Sequence, residues 1–337
     1  MNEAAVAHGG DLDEARRRFP EAPEPWIDLS TGINPIAYPL PPLGPDIWAR
    51  LPQRSDLKGL EAVAATTYGI AHGAEVVAAP GTQALIQWLP RLVSAKRVAI
   101  LRTTYEEHAA TWRASGAMVE SVEDPGALAE FDAAVLVNPN NPDGRLIAPA
   151  DLQPLSQRFA RKGGLLVIDE AFMDVTPDQS FAPHIATRGT VILRSFGKIF
   201  GLAGLRLGFA IAGPELARRL RHGLGPWPVS GPAIRIATQA LGDTDWVMRA
   251  TERLSRDAAR LDDVLAQAGF TVGCGTILFR LAVRPDAAGW FERLGRAGIL
   301  VRRFDERSDQ LRFALPGSDE AWQRLSSALV GAETKRT

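Results

Sequence analysis

A chain of 337 residues, 46% of them hydrophobic, is long enough for two domains with sizeable cores. A formal net charge of −1 gives no electrostatic footing for nucleic acid or a membrane surface as a partner. No run of about 20 apolar residues occurs, so no spanning helix is expected, and the one cysteine, Cys274, cannot close an intrachain disulfide, which fits a reducing compartment.

The first ten residues carry no basic segment followed by a long apolar run, so no signal peptide is read and the cytoplasm is the expected location. Residues 1–44 contain Pro20, Pro23, Pro25, Pro35, Pro39, Pro41 and Pro42 and are expected to wrap as an extended arm. Strand and helix patterns then alternate. Arg97–Leu101, Ala117–Val122, Ala133–Asn138, Leu165–Asp169 and Thr190–Ser195 read as strands, each apolar throughout, as in a sheet covered on both faces. Thr82–Val93, Glu106–Ser115 and Pro149–Arg161 read as helices, the last opening on Pro-Ala-Asp and closing at Gly163-Gly164. This alternation predicts a large α/β domain over residues 45–241 with a doubly wound, mostly parallel sheet.

Beyond it, Asp243–Ala268 reads as one long charged amphipathic helix ended by Gly269. A strand over Thr276–Val283, a helix over Asp286–Ala297, strands over Ile299–Arg303 and Gln310–Leu315 and a helix from about Ser318 follow. They define a smaller α+β domain over residues 242–337, which the arm joins. Cys274, set between glycines, is expected to be a buried strand-end thiol.

The chemistry gathers at strand ends. A strand delivers Ser195 and then Lys198, with a glycine-rich turn and Arg206 eight positions further on. Lys198, between Phe196, Ile199 and Phe200, is expected to be desolvated, and desolvation favours the neutral amine that forms an imine. Ser195 and Arg206 suit a phosphate, the arginine through its planar fork. The plainer reading is a loop lysine beside a packing turn. Asp169 closes the apolar run Gly164–Asp169, where ligands bind in open α/β sheets, and a buried acid there calls for a cation such as a protonated pyridine nitrogen. Asn141, in Asn138-Pro-Asn-Asn-Pro-Asp-Gly144, has an amide to offer a phenolate oxygen, or sits in a plain Asn-Pro turn. Gly81-Thr82-Gln83 opens a helix whose first N–H groups form a phosphate site. No metal site is read.

In this order, the Gly-Thr turn, Asn-Pro-x-Gly, Asp-x-Ala-Phe and Ser-x-x-Lys with an arginine eight later resemble the fold-type-I pyridoxal 5′-phosphate (PLP) enzymes over about residues 26–325. The resemblance implies the PLP-dependent transferase fold, with a mostly parallel seven-stranded sheet and a smaller α+β domain. It implies PLP as cofactor and a homodimer with active sites at the interface. Lys198 is then the Schiff-base lysine, Asp169 pairs with the pyridinium, and Asn141 meets the ring oxygen. Gly81, Thr82, Gln83, Ser195 and Arg206 hold the cofactor phosphate. Tyr105 matches the aromatic stacked on the ring, and His108 the residue that supports the aspartate, the alternative being a solvated helix histidine. Arg312 matches the arginine for the substrate α-carboxylate, the alternative being a strand-end surface arginine. Phe172 replaces a common tyrosine, which leaves the ring oxygen more dependent on Asn141. Leu51-Pro52 replaces a common Tyr-Pro and so lacks the tyrosine that reaches the neighbouring subunit's cofactor phosphate.

Two branches of that family resemble this chain, the histidinol-phosphate aminotransferases and the threonine-phosphate decarboxylases of cobalamin synthesis. His8-Gly9-Gly10-Asp11, the stretch Trp26–Pro35, Phe172 and Pro226-Trp227-Pro-Val-Ser230 resemble the decarboxylases. The implied reaction is decarboxylation of L-threonine O-3-phosphate to (R)-1-aminopropan-2-ol O-phosphate, with transamination of a phosphorylated amine as the alternative. The choice turns on whether the carboxylate is held in or out of the ring plane, which residues alone do not decide. One arginine cannot hold two anions, so the substrate phosphate is assigned to His8, the Gly9-Gly10 backbone, Asn34 and Arg302. Arg302 and Arg303 face opposite ways on a strand, and family position favours Arg302. A non-catalytic regulator on the same fold is disfavoured by the near-neutral charge.

Overall fold

The computed structural model describes residues 9–330. In chain order its elements are α1 (Leu12–Arg18), β1 (Ile27–Leu29), α2 (Asp46–Ala49), α3 (Arg54–Thr67), β2 (Glu75–Ala79), α4 (Thr82–Leu92), β3 (Arg97–Leu101), α5 (Glu107–Ala114), β4 (Met118–Val122), β5 (Ala133–Val137), α6 (Pro149–Lys162), β6 (Leu165–Asp169), β7 (Thr190–Ser195), β8 (Gly208–Ala212), α7 (Pro214–Leu224), α8 (Gly231–Gly242), α9 (Thr244–Gln267), β9 (Thr271–Thr276), β10 (Phe279–Val283), α10 (Ala287–Arg296), β11 (Ile299–Arg303), β12 (Gln310–Ala314) and α11 (Asp319–Val330). Among these residues no helix is long and apolar enough to cross a membrane.

The chain divides into two compact units. One, residues 38–141 and 145–247, is built on a seven-stranded sheet in the order β2-β8-β7-β6-β5-β3-β4. Only β8 runs against its neighbours, so the expected mostly parallel sheet is present. Its strands are apolar on both faces because each face carries its own core. Ala134, Leu136, Leu166, Ile168 and Ile192 enter one core. Ala133, Val135, Leu165, Val167, Val191 and Leu193 enter the other, with Tyr105 and Trp112 packed beside them. The strict period of two then fixes the strand ends. Asp169 follows Leu165 and Val167 to the α5 face, Ser195 follows Leu193 to the same face, and Arg194 is sent to the opposite one.

The other unit comprises residues 9–37, 142–144 and 248–330 of the described chain. Its five-stranded sheet has the order β1-β11-β12-β10-β9, with β1 parallel to β11 and the remaining pairs antiparallel. Within α9, Ala250, Leu254, Ala258, Leu261 and Leu265 are buried, one helical stripe of the amphipathic pattern.

Several expectations give way. The segment 118–122 is not covered on both faces, since β4 pairs with β3 alone at the sheet edge and exposes Met118, Glu120 and Ser121. The stretch 276–283 is not one strand. The Thr276 hydroxyl accepts the Leu278 N–H at 3.1 Å, closing a tight apolar turn that separates β9 from β10. Cys274 therefore lies within β9 and is exposed, not buried at a strand end. Residues 9–37 are more than an extended arm. Asp11 caps α1 by accepting the Glu14 N–H at 2.8 Å, Asp13 and Glu14 lie in its first turn and Arg16, Arg17 and Arg18 in its last. β1 then adds an edge strand to the smaller sheet.

Candidate active site

In the larger unit the carboxyl ends of the parallel strands carry the expected residues, the position where open α/β sheets bind ligands. Asp169, at the end of β6, is only 3% exposed. Its Oδ2 lies 2.8 Å from Nε2 of His108, which is 1% exposed on α5, and its Oδ1 accepts the Ala171 N–H at 3.0 Å. His108 is thus no solvated helix histidine; it fixes the plane of the carboxylate.

A second cluster forms by register. Ser195 of β7 stands opposite Gly208 of β8, and Gly208 stands opposite Ala79 of β2. The loops after β2 and before β8 are thereby brought beside Ser195. Gly81 adopts φ +86°, and a Cβ there would lie 2.9 Å from Nη2 of Arg206. A Cβ at Gly208 would lie 2.6 Å from the Thr82 nitrogen. Glycine at both positions lets the first N–H groups of α4, which have no intrahelical acceptor, come close to the Ser195 strand end and the exposed Arg206 guanidinium.

Tyr105 is held from its far end. Its hydroxyl donates to Gln83 Oε1 at 3.3 Å, and Gln83 Nε2 donates to Glu107 Oε2 at 2.5 Å. The Gln83 side chain therefore spans Tyr105 and Glu107. Tyr105 meets the His108 ring edge-on, with centroids 6.1 Å apart. Asn138 and Asn140 are buried and staple the loop after β5, through the Ile147 backbone and the Thr103 carbonyl. Asn141 is half-buried between them and Pro142.

Lys198 is half-buried, while Phe196, Ile199 and Phe200 are fully enclosed and Phe196 and Phe200 stack at 4.5 Å. The aromatic ring facing its amine is that of Phe172, with Nζ 5.1 Å from the centroid. Sequence reasoning passed over the residue beside Ser195. Arg194, on the opposite face, is buried with Glu170 at 2.9 Å, with Asp174, and with Ser180 Oγ at 3.3 Å, over the Tyr68 ring. Burial works against its charge, but Asp174 and Glu170 outweigh that and hold its pKa above the ordinary arginine value. An arginine inside an apolar strand was the signal for this cluster.

In the smaller unit, Arg302 and Arg312 stand directly opposite each other in the β11–β12 pair, so both lie on one sheet face. Arg303 lies on the other, over Phe291 and 3.7 Å from Asp305. Arg312 is 6% exposed, which removes the surface-arginine alternative, and its Nη2 donates to the Ser30 carbonyl at 2.7 Å. Burial first, and then Arg302, pull its pKa down to about 10 against the opposing pull of Asp28, so the guanidinium stays charged near neutrality. Gly10 donates its N–H to Ser30 Oγ at 2.7 Å. Asn34 is buried, its Oδ1 accepting from Arg253 at 2.9 Å and from the Ile36 N–H at 3.0 Å. His8 lies outside the described residues. Gln83, Asp28 and Ser30 lie in motifs already singled out, but nothing in those motifs shows the contacts they make here, and Glu107 carried no signal of its own.

A mostly parallel α/β sheet with a helix N-terminus, a serine and an arginine gathered at its strand ends, beside a lysine and a histidine-paired acid, is the arrangement of an aminotransferase-type fold. The chain matches the family model of aminotransferase class I and II over residues 52–329 and belongs to that family. It is 42% identical over 329 residues to a threonine-phosphate decarboxylase of Pseudomonas aeruginosa, covering 97% of this chain and 98% of the relative. It is 44% identical over 334 residues to a threonine-phosphate decarboxylase of a Sinorhizobium species, covering 98% and 99%. Among solved structures, the histidinol-phosphate aminotransferase of Sinorhizobium meliloti in complex with pyridoxal-5′-phosphate aligns with a TM-score of 0.80 at 18% identity, over 98% of this chain and 97% of that one, a likeness of fold.

Proposed function

We propose that this chain is a PLP-dependent carboxy-lyase that converts L-threonine O-3-phosphate to (R)-1-aminopropan-2-ol O-phosphate for the cobalamin nucleotide loop. The observation that carries it is the pairing of Arg302 and Arg312 on one sheet face. Two neighbouring guanidinium groups, one of them buried, repel each other, and a ligand with two anionic groups relieves both. A phosphorylated amino acid is such a ligand. Identity of 42% and 44% over nearly the whole chain to two threonine-phosphate decarboxylases supports the same substrate.

The cradle at Gly81 fits the phosphate of the cofactor, since a side chain at that position would fill the space beside Arg206. Gly81, Thr82, Gln83, Ser195 and Arg206 hold that phosphate, the backbone through N–H groups and Arg206 through its fork. Asp169, fixed by His108, keeps a proton on the ring nitrogen. Asn141 would donate to the ring oxygen, and Tyr105, braced by Gln83, would offer its face to the ring. When bound, PLP supplies an electron sink for the bond broken at the substrate α-carbon. Arg312 binds the carboxylate. Arg302, with Asn34, His8 and the Gly9-Gly10 backbone, binds the substrate phosphate. Lys198 anchors the cofactor, and its Nζ delivers the proton that replaces carbon dioxide on the α-carbon.

A homodimer belongs to the same proposal. Leu40, Trp48, Leu51 and Trp227 are each more than half exposed, an apolar display that a second copy would cover. Cytoplasmic residence rests on a lone cysteine, which forms no intrachain disulfide. The test is product identification by phosphorus NMR after incubating the holoenzyme with L-threonine O-3-phosphate, with and without a 2-oxoacid. Aminopropanol phosphate should form at the same rate in both. A phosphorylated 2-oxo product that appears only with the 2-oxoacid would replace the lyase with an aminotransferase.

A further inference from the structure

Resting on the proposed substrate, we propose that Ser30 is a positioning residue that sets the Gly9-Gly10 backbone and the Arg312 side chain as one unit. Ser30 follows β1 and is buried. Its carbonyl accepts from Arg312 Nη2 at 2.7 Å. Its hydroxyl accepts the Gly10 N–H at 2.7 Å and donates to Asp28 Oδ1 at 2.5 Å, and its own N–H donates to the same oxygen at 2.8 Å. The direction of this relay is fixed by chemistry, since an N–H only donates and a carboxylate only accepts.

The glycines are shaped to this contact. A Cβ at Gly9 would run into the Ser30 carbonyl and reach its Oγ at 3.0 Å, and Gly10 holds φ +89°. Asp28 gives the relay a charge. It opposes the depression of the Arg312 pKa caused by burial and by Arg302, so one carboxylate both anchors the Gly10 tether through Ser30 and favours the charged arginine. Substrate contacts made by the segment at Gly9-Gly10 and by Arg312 are therefore held in register by a residue that need not touch substrate.

Removing the hydroxyl separates the two halves. Ser30→Ala keeps the carbonyl that seats Arg312 but releases Gly10 from Asp28, whereas Ser30→Thr keeps the hydroxyl. Amide hydrogen exchange at Gly10 in the holoenzyme, read without substrate, should be protected in the wild type, about tenfold faster in Ser30→Ala, and restored in Ser30→Thr. With L-threonine O-3-phosphate, KM in Ser30→Ala should rise about 3- to 10-fold, the factor one neutral hydrogen bond is worth, with the loss falling on KM rather than kcat. Asp28→Asn, which keeps an acceptor oxygen and removes the charge, should raise KM while leaving Gly10 protected. Unchanged exchange at Gly10 in Ser30→Ala, or a loss confined to kcat, would overturn the assignment. A wild-type enzyme that leaves threonine phosphate untouched would overturn the proposed reaction instead, and exchange at Gly10 would still decide the tether.

Discussion

His108 Nε2 stands 2.8 Å from Asp169 Oδ2, with both side chains almost closed to solvent. The pair exists because the two-residue period of β6 turns Asp169 toward α5, where His108 faces the sheet. Asp169→Ala should lower kcat by about 10²–10³, since the fixed charge proposed to face the ring nitrogen is lost. His108→Ala should cost about tenfold, the low end of what a hydrogen bond to a charged group is worth, because the Ala171 N–H still orients the carboxylate. Steady-state kinetics on both variants check the order. Equal losses would mean that His108 does more than orient the acid.

Gly81→Ala should loosen the cofactor. The new Cβ must occupy a positive φ and crowd the Arg206 guanidinium. Strain of this kind costs about 1–3 kcal/mol, or about 5- to 150-fold in affinity. Equilibrium dialysis of the cofactor against the apoenzyme measures it, and wild-type affinity would remove Gly81 from the phosphate cradle.

Arg302→Ala should weaken L-threonine O-3-phosphate by about 10- to 150-fold, the cost of a charge-assisted hydrogen bond, and leave unphosphorylated threonine little changed. Arg303→Ala should leave both ligands alone, because Arg303 lies on the other face of β11 beside Asp305. Titration of the cofactor absorbance with each ligand reads both. Equal weakening of the two ligands by Arg302→Ala would show that this side chain does not read the phosphate.

Arg194→Met should destabilise the fold by about 3–5 kcal/mol in urea unfolding, because Glu170 would be left buried without its cation. Arg218→Met, which breaks a pair exposed on both sides, should leave the midpoint in place. A small effect at Arg194 would mean that water or rearrangement reaches Glu170.

Strands β3, β6 and β7 were legible because two cores give each an unbroken apolar run at its centre, whereas the exposed edge of β4 hid behind the same reading. The turn at Ile277-Leu278 gave no glycine or proline signal, since the Thr276 hydroxyl closes it. Lys198, Asp169 and Arg206 could be picked out because each sits in a local motif. Ser30 could not. Its partners are residues 10, 28 and 312, and the last lies 282 positions away. Arg302 was favoured over Arg303 by family position alone, and the register of β11 with β12 adds the physical reason by setting Arg302 opposite Arg312.

The most direct test of the account is to supply L-threonine O-3-phosphate labelled with ¹³C at the carboxyl carbon to the holoenzyme in D₂O. One labelled carbon dioxide should be released per aminopropanol phosphate formed, with one deuterium on the former α-carbon, and Lys198→Ala should release none. Label retained in a 2-oxo product, or release that survives Lys198→Ala, would contradict the account.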